Sequence, residues 1–275
     1  VKQVFHILSD STVNSSEKVL AIRAGEKHFG FAVTSPDAAE LYRLAWYTDA
    51  SMEEDALQEI YKNHPELSDS YARILVGYDH PQSVLVPQVH YHQENAPQLL
   101  KAVYGTLDQD LLMTEYVADW QIQNIYTVPR ETTEWIGRHF ATGDRWHTYT
   151  IGLKNTGFID PQGSLAIDIR PEDFSLLVTK GNKLLLAQTY SYSNPADVLY
   201  HLLDACRQFS FTQESVQVLL SGLITQESAL YRGLYNYFLH VKFRDSGWLL
   251  PEGDRDQQYP LHFFTSLNDL ARCVS

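Results

Sequence analysis

The sequence predicts an α/β protein built from two copies of one βββαβαβ unit, each a mixed sheet with flanking helices. Three observations carry this prediction. Residues 18–48 and 163–193 each read as three consecutive strands broken by tight turns. Each of these meanders is followed by a helical pattern and then by an apolar strand. The two copies lie about 145 residues apart, too far for a solenoid repeat and natural for a duplicated domain. Residue identity between them is slight, so what repeats is the order of elements.

The second copy is the clearer one. Alternation or apolar runs at 165–169, 174–179 and 183–190 are broken at Arg170-Pro171-Glu172-Asp173 and at Lys180-Gly181-Asn182. Asn194-Pro195 supplies a helix N-cap and a proline for the first turn. After it Ala196, Val198, Leu199, Leu202, Leu203, Cys206 and Phe209 recur at helical spacing. An apolar strand over 216–220 ends at Ser221-Gly222, a second helical pattern places Leu230, Leu234, Tyr237 and Phe238 on one face, and a short strand follows at 241–243.

In the first copy the strands are KVLAIRAG, HFGFAVTS and ELYRLAWYTD, with breaks at Gly25-Glu26-Lys27 and Ser35-Pro36-Asp37. A helix with Met52, Ala56, Leu57, Ile60 and Tyr61 on one side stops at His64-Pro65, and an apolar strand spans 72–78. Beyond it the pattern predicts a strand at 83–86, a helix near 97–104, a strand at 120–128, a helix over 131–140 closed by Gly143, and a strand at 146–153. These elements complete a first domain of residues 1–160, with the boundary near 157–163. The second domain, 161–275, closes with a Gly-, Pro- and charge-rich loop over 247–260 and a last helical pattern through Phe264, Leu267, Leu270 and Ala271.

Composition narrows the function. A net charge of −13 keeps a chain soluble and opposes a nucleic-acid backbone as partner. The start of the chain has no basic stretch followed by an apolar run, and no later stretch reaches the roughly 20 apolar residues that span a bilayer. A cytoplasmic protein with no membrane contact is the expectation. Cys206 and Cys273 match neither a disulfide framework nor a metal-ligand spacing. Neither G-x-S-x-G nor G-x-x-x-x-G-K-[ST] occurs, so the serine hydrolase and P-loop classes fall away.

Some constellations have two readings. His90 and His92 would share one side of an extended segment, with His80 near in sequence, but no acidic or cysteine ligand joins them, and loop histidines explain them equally simply. Asp168, Glu172 and Asp173 would serve as paired carboxylates in acid/base work, or as the solvated charges of a hairpin turn. Of the second domain's tyrosines, most suit a core, while Tyr231 and Tyr235, four apart on a helix that also carries Arg232, suit a contact surface.

Two successive βββαβαβ units resemble the actin-like ATPase superfamily, the ribonuclease-H-like double domain of actin and hexokinases. More closely, LAIRAGEKHFGFAV followed by a Tyr- and Leu-rich chain of this length resembles a bacterial family carrying a domain of unknown function and taken to have that fold. The resemblance runs from Lys18 to the end of the chain and rests on element order more than on signature residues. It implies three ligand loops. The first, Asp-x-Gly in the superfamily, holds hydrated Mg2+ and phosphate; here Gly25 is kept, and Arg23 stands where the carboxylate belongs. The second, Asp-x-Gly-Gly-Gly-Thr, keeps Asp168 and loses every glycine, with Pro171, Glu172 and Asp173 in their stead. The third, which receives adenosine, is matched by Ser221-Gly222.

Residues Gly25, Asp168, Ser221 and Gly222 are therefore the candidate ligand positions. The leading expectation is a non-catalytic binding or regulatory protein, a pseudo-ATPase with no catalytic residue, no metal and no cofactor, acting on a protein partner of unidentified kind. The alternative is a divergent nucleotide-dependent kinase or ATPase that takes ATP with Mg2+ in a cleft between the domains, with Asp168 as the metal-orienting carboxylate.

Overall fold

The computed structural model describes residues 1–8, 17–49, 51–105, 110–155, 160–248 and 259–273. Contacts group them into two compact units, one within Val1–Ile151, Gly247–Gln258 and Leu267–Ser275, the other within Gly152–Ser246 and Tyr259–Ser266. Part of the boundary expected near 157–163, and of the loop expected over 247–260, falls outside the described residues.

The first unit contains β1 (Lys2–Leu8), β2 (Val19–Gly25), β3 (His28–Thr34), β4 (Leu41–Thr48), α1 (Glu54–Asn63), β5 (Arg73–Asp79), β6 (Ser83–Pro87), α2 (Ala96–Tyr104), β7 (Leu111–Val117), β8 (Ile122–Val128), α3 (Arg130–His139) and β9 (Asp144–His147); α4 (Thr148–Lys154) follows. The second contains β10 (Ser164–Ile169), β11 (Asp173–Lys180), β12 (Lys183–Ser191), α5 (Pro195–Phe209), β13 (Gln217–Gly222), α6 (Ala229–Tyr237) and β14 (His240–Phe243). The last helix, α7 (Thr265–Arg272), lies mostly in the first unit, where Leu270 is buried and its Cδ2 sits 3.3 Å from the Cβ position of Gly77.

Both expected meanders are continuous. The main sheets run β1-β4-β3-β2-β5-β9 and β12-β11-β10-β13-β14, so each carries the same five-strand order, third-second-first-fourth-fifth. Neighbours within each meander are antiparallel, and the fourth and fifth strands run parallel to the first. Parallel neighbours need a crossover, supplied by α1 and α3 in one unit and by α5 and α6 in the other. The central strand β2, VLAIRAG, is buried throughout, as a strand covered on both faces must be. Helix α5 begins where Asn194-Pro195 predicts. Asn194 Oδ1 accepts the Ala196 N–H at 2.9 Å, and Asp197 Oδ2 accepts the N–H groups of Ser193 and Asn194. Its Val198, Leu202, Ala205 and Cys206 are buried in the second unit's core.

Three features depart from the sequence reading. The stretch expected as a strand at 146–153 is the end of β9 and then a helix, α4. Its buried Tyr149, Ile151 and Leu153 alternate, but a short apolar run does not separate a buried helix from a strand. Strand β1 was not expected; it adds to the edge of the first sheet antiparallel to β4. Strand β7 was not expected either. With β6 and β8 it forms an antiparallel three-stranded sheet, order β6-β8-β7, inserted between β5 and α3 and packed on α2 through Val86, Ala96, Leu100 and Ile125.

Candidate functional site

The residues that the resemblance assigns to ligand loops fall at the same end of corresponding strands. The ladders give the correspondence: the fifth pair of β2 and β5 is Arg23 with Gly77, and the fifth pair of β10 and β13 is Asp168 with Ser221. Leu-Ala-Ile precedes both Arg23 and Asp168. Arg23 and Asp168 thus hold one structural position with opposite charge.

In the first unit that charge is answered from the neighbouring strand. Asp79, opposite Gly25 in the ladder, accepts Arg23 Nε at 3.0 Å on Oδ2 and is also bound by the Arg23 Nη2 group. The His28 Nε2 lies 3.1 Å from the same oxygen, and Thr148 Oγ1 donates to Oδ1 at 3.1 Å. Arg23, His28 and Asp79 are all buried. Gly25 has a structural purpose here: a Cβ on it would meet the His28 imidazole at 2.3 to 2.8 Å. The imidazole in turn stacks on Trp46, with centroids 5.0 Å apart and planes 11° off parallel. The edge of Trp46 fills the space a Cβ on Gly30 would take, and the Arg23 guanidinium lies 5.6 Å from its ring.

In the second unit Asp168 keeps its carboxylate but spends it internally. Ser221 Oγ donates to Asp168 Oδ1 at 3.2 Å and to the Ile167 carbonyl at 3.0 Å. Buried Arg170 reaches Asp168 Oδ2 with Nη1 at 3.4 Å and donates through Nε to Asp173. The Arg170 carbonyl accepts Tyr192 O–H at 2.6 Å, so the hairpin is tied at several points. Burial, then the Asp173 charge, raises the Tyr192 hydroxyl pKa and keeps it a donor. Gly222 takes φ +79° and brings β13 so close to β10 that the Leu223 N–H donates to the Ile169 carbonyl at 2.7 Å.

The paired carboxylates Asp168 and Asp173 do meet, but across Arg170, while Glu172 is exposed. His90 and His92 are exposed and His80 is buried. Among the described residues no three His, Cys, Asp or Glu side chains form a group able to hold a metal.

Sequence reasoning missed a third polar cluster. Tyr47 O–H donates to His64 Nε2 at 2.5 Å, and His64 Nδ1–H donates to Glu66 Oε1 at 2.9 Å. Tyr47 and His64 line a pocket of about 300 Å3 with Gln3, His6, Glu59 and Asn63. Burial raises the Glu66 pKa, but the hydrogen bonds from His64 and the backbone, with the Arg43 charge, outweigh it and leave the carboxyl below its ordinary value. Burial and the charges of Glu66 and Glu59 raise Tyr47, so its hydroxyl stays protonated. His64 carries the signature of a helix stop, which gives no hint of partners 17 residues before and two after it.

His147 at the end of β9 is fully buried. Its Nε2–H donates to the His80 carbonyl at 2.9 Å, and its Nδ1 accepts the Tyr149 N–H at 3.1 Å, which requires the neutral ring. Desolvation lowers its pKa from 6.5 to about 4. Between those values the unfolded chain binds a proton that the folded chain refuses, so stability is full above this window and falls as pH falls through it. The loss from this group is about 2 kcal/mol between about pH 7 and pH 5. His262 and His201, lowered chiefly by desolvation, act in the same sense. Urea midpoints at the two pH values will show the drop, and His147→Gln will lose its share; equal wild-type midpoints would contradict this.

The family described as "Protein of unknown function (DUF3822)" matches residues 9–241. A Bacteroides thetaiotaomicron protein with actin-like ATPase fold and unknown function is similar with a TM-score of 0.74 at 17% identity, over 84% of this chain and 91% of that one. The structure of the PilM-PilN type IV pilus biogenesis complex is similar at TM-score 0.64 and 14% identity, over 94% of this chain and 98% of that one. The ethanolamine utilization protein EutJ of Carboxydothermus hydrogenoformans reaches 0.51 at 8% identity, over 97% and 92%. No curated protein matches. The fold is that of the actin-like ATPases, with two ribonuclease-H-like units.

Proposed function

We propose that this chain, which belongs to the DUF3822 family, is a non-catalytic binding or regulatory protein on a degenerate actin-like ATPase fold. The observation that carries the reading is the filled turn at Gly25. In that turn the phosphate loop of the actin-like ATPase superfamily would need open backbone donors and a free carboxylate. Instead the His28 ring occupies the glycine's open side, and Asp79 is committed to Arg23, His28 and Thr148. In the second unit Pro171 has no N–H to offer a phosphate, and Asp168 is engaged by Ser221 and Arg170.

A protein partner fits this reading, since one structure of the same fold is that of a complex, PilM-PilN. No helix among the described residues is long and apolar enough to cross a membrane. The two buried free thiols, Cys206 and Cys273, are in keeping with a bacterial cytoplasm, and the net charge of −13 opposes nucleic acid as the partner.

The second reading, a divergent nucleotide-dependent kinase or ATPase, draws on Asp168 and Gly222, which keep the superfamily's residue types in place. Calorimetric titration with ATP and Mg2+ separates the two. The expected result is no detectable heat at millimolar nucleotide. Micromolar binding that Asp168→Asn abolishes would establish the enzyme instead.

A further inference from the structure

Beyond the ligand loops, the second unit carries a surface whose chemistry differs from the rest of the chain. Residues 228–244, covering α6 and β14, contain Arg232, His240, Lys242 and Arg244 and no acidic residue, in a chain of net charge −13. Arg232 and Lys242 are exposed and make no ion pair among the described residues. Beside them lie large exposed side chains: Tyr235 at 62%, Tyr237 at 52% and Leu239 at 67%. Carboxylates border the stretch on both sides: Glu227, exposed just before it, and Asp245, which lies 3.8 Å from His262 Nδ1.

The rings are ordered. Tyr235 stacks on Tyr231 at 6.0 Å, Tyr231 on Phe243 at 5.2 Å with planes 8° apart, and Phe243 on His262 at 4.0 Å. This ladder runs from the exposed side of α6 onto one face of β14. Side chains alternate along a strand, so Val241 and Phe243 share that face while His240 and Lys242 lie on the other. Strand β14 is also the last strand of its sheet. The Arg244 N–H donates to the Leu220 carbonyl of β13, so the even-numbered residues turn their backbone groups inward. Those of Val241 and Phe243 therefore point to the outer edge.

We infer that the outer edge of β14 is a docking site for an extended acidic segment of a partner protein, which adds to the sheet as a further strand. An added strand takes its backbone bonds from Val241 and Phe243 and presents alternate side chains to the two faces. Apolar side chains on one face meet the Tyr231–Tyr235–Phe243 ladder. Carboxylates on the other face meet His240 and Lys242, while Arg232, three positions before Tyr235 on α6 and so on the ladder's side, adds positive charge at longer range. Nucleic acid fits less well, because two unpaired cations in a chain of this net charge do not hold a polyphosphate. This site shares no residue with Gly25, Asp168, Ser221 or Gly222, and stands whether or not those residues bind a nucleotide.

The test uses the full chain and a fluorescein-labelled decapeptide of alternating glutamate and valine, followed by fluorescence anisotropy. Saturable binding that weakens with salt is expected, with a decapeptide of alternating lysine and valine not binding. The double variant Arg232→Glu, Lys242→Glu should bind at least about tenfold more weakly. Val241→Pro removes an outward N–H without touching the β13 ladder, and should also lose at least about tenfold with an unchanged melting temperature. Should that variant melt early, the charge-reversal variant decides alone. Absence of peptide binding, equal affinity in the charge-reversal variant, or tighter binding of a ten-base oligothymidylate than of the acidic peptide would each overturn the assignment.

Discussion

Replacing Asp79 with alanine is expected to destabilise the protein by about 3 to 5 kcal/mol, the cost of taking a close counter-charge from a buried cation. Arg23 is 3% exposed and Asp79 6%, so water does not reach the guanidinium to compensate. Thr148 loses an acceptor in the same step, and the His28 ring loses the carboxylate 3.1 Å from its Nε2. The companion variant Arg23→Met, Asp79→Leu removes both charges and should recover most of the loss, because packed apolar side chains do as well as a buried pair once neither ion remains. Urea melts at neutral pH measure both. A loss below about 1 kcal/mol for Asp79→Ala would mean that the pair is solvated and that the Gly25 turn is more open than the packing shows.

Gly222→Ala is expected to cost more than about 3 kcal/mol. A left-handed conformation at φ +79° costs an alanine about 1 to 2 kcal/mol by itself. The added Cβ would also stand 2.2 Å from the Ile169 carbonyl oxygen and 2.7 Å from its nitrogen, both backbone atoms at the end of β10. Neither atom moves without breaking the β10–β13 ladder. Gly181, at φ +53° with nothing within 4 Å of its Cβ position, is the control, and its alanine variant should show the conformational cost alone. If the two variants melt together, close approach is not what Gly222 provides. The same comparison bears on its assignment to an adenosine loop, since the geometry already explains why a glycine is needed there.

Much of the fold was legible because its signals are local. Both meanders, the N-cap of α5 and the crossover helices follow from alternation, turn residues and helical spacing within short windows. Strand β7 escaped because its pattern is inverted: Leu112 and Tyr116 face out while Glu115 is buried, its carboxylate accepting Tyr126 O–H and, at 2.8 Å, the His147 N–H. No rule of polarity places that glutamate inside before its partners are known. Helix α4 escaped because its Tyr149, Ile151 and Leu153 alternate with polar or small residues, the period of a strand, over a segment too short for helical spacing to show.

By itself, then, the sequence determined the two βββαβαβ halves and placed Arg23 where the superfamily resemblance leads one to expect a carboxylate. Only the tertiary structure decided what that exchange means. Asp79 stands 56 residues from Arg23 and meets it because β5 crosses over to lie parallel to β2. His28 fills the side of Gly25 only once the β2–β3 turn is formed, and Arg170 joins Asp168 to Asp173 only across a closed hairpin. Local patterns specify which residues form a strand or helix because backbone geometry repeats every two or 3.6 residues. Charge pairing across strands has no such period, and depends on which ends the topology brings together.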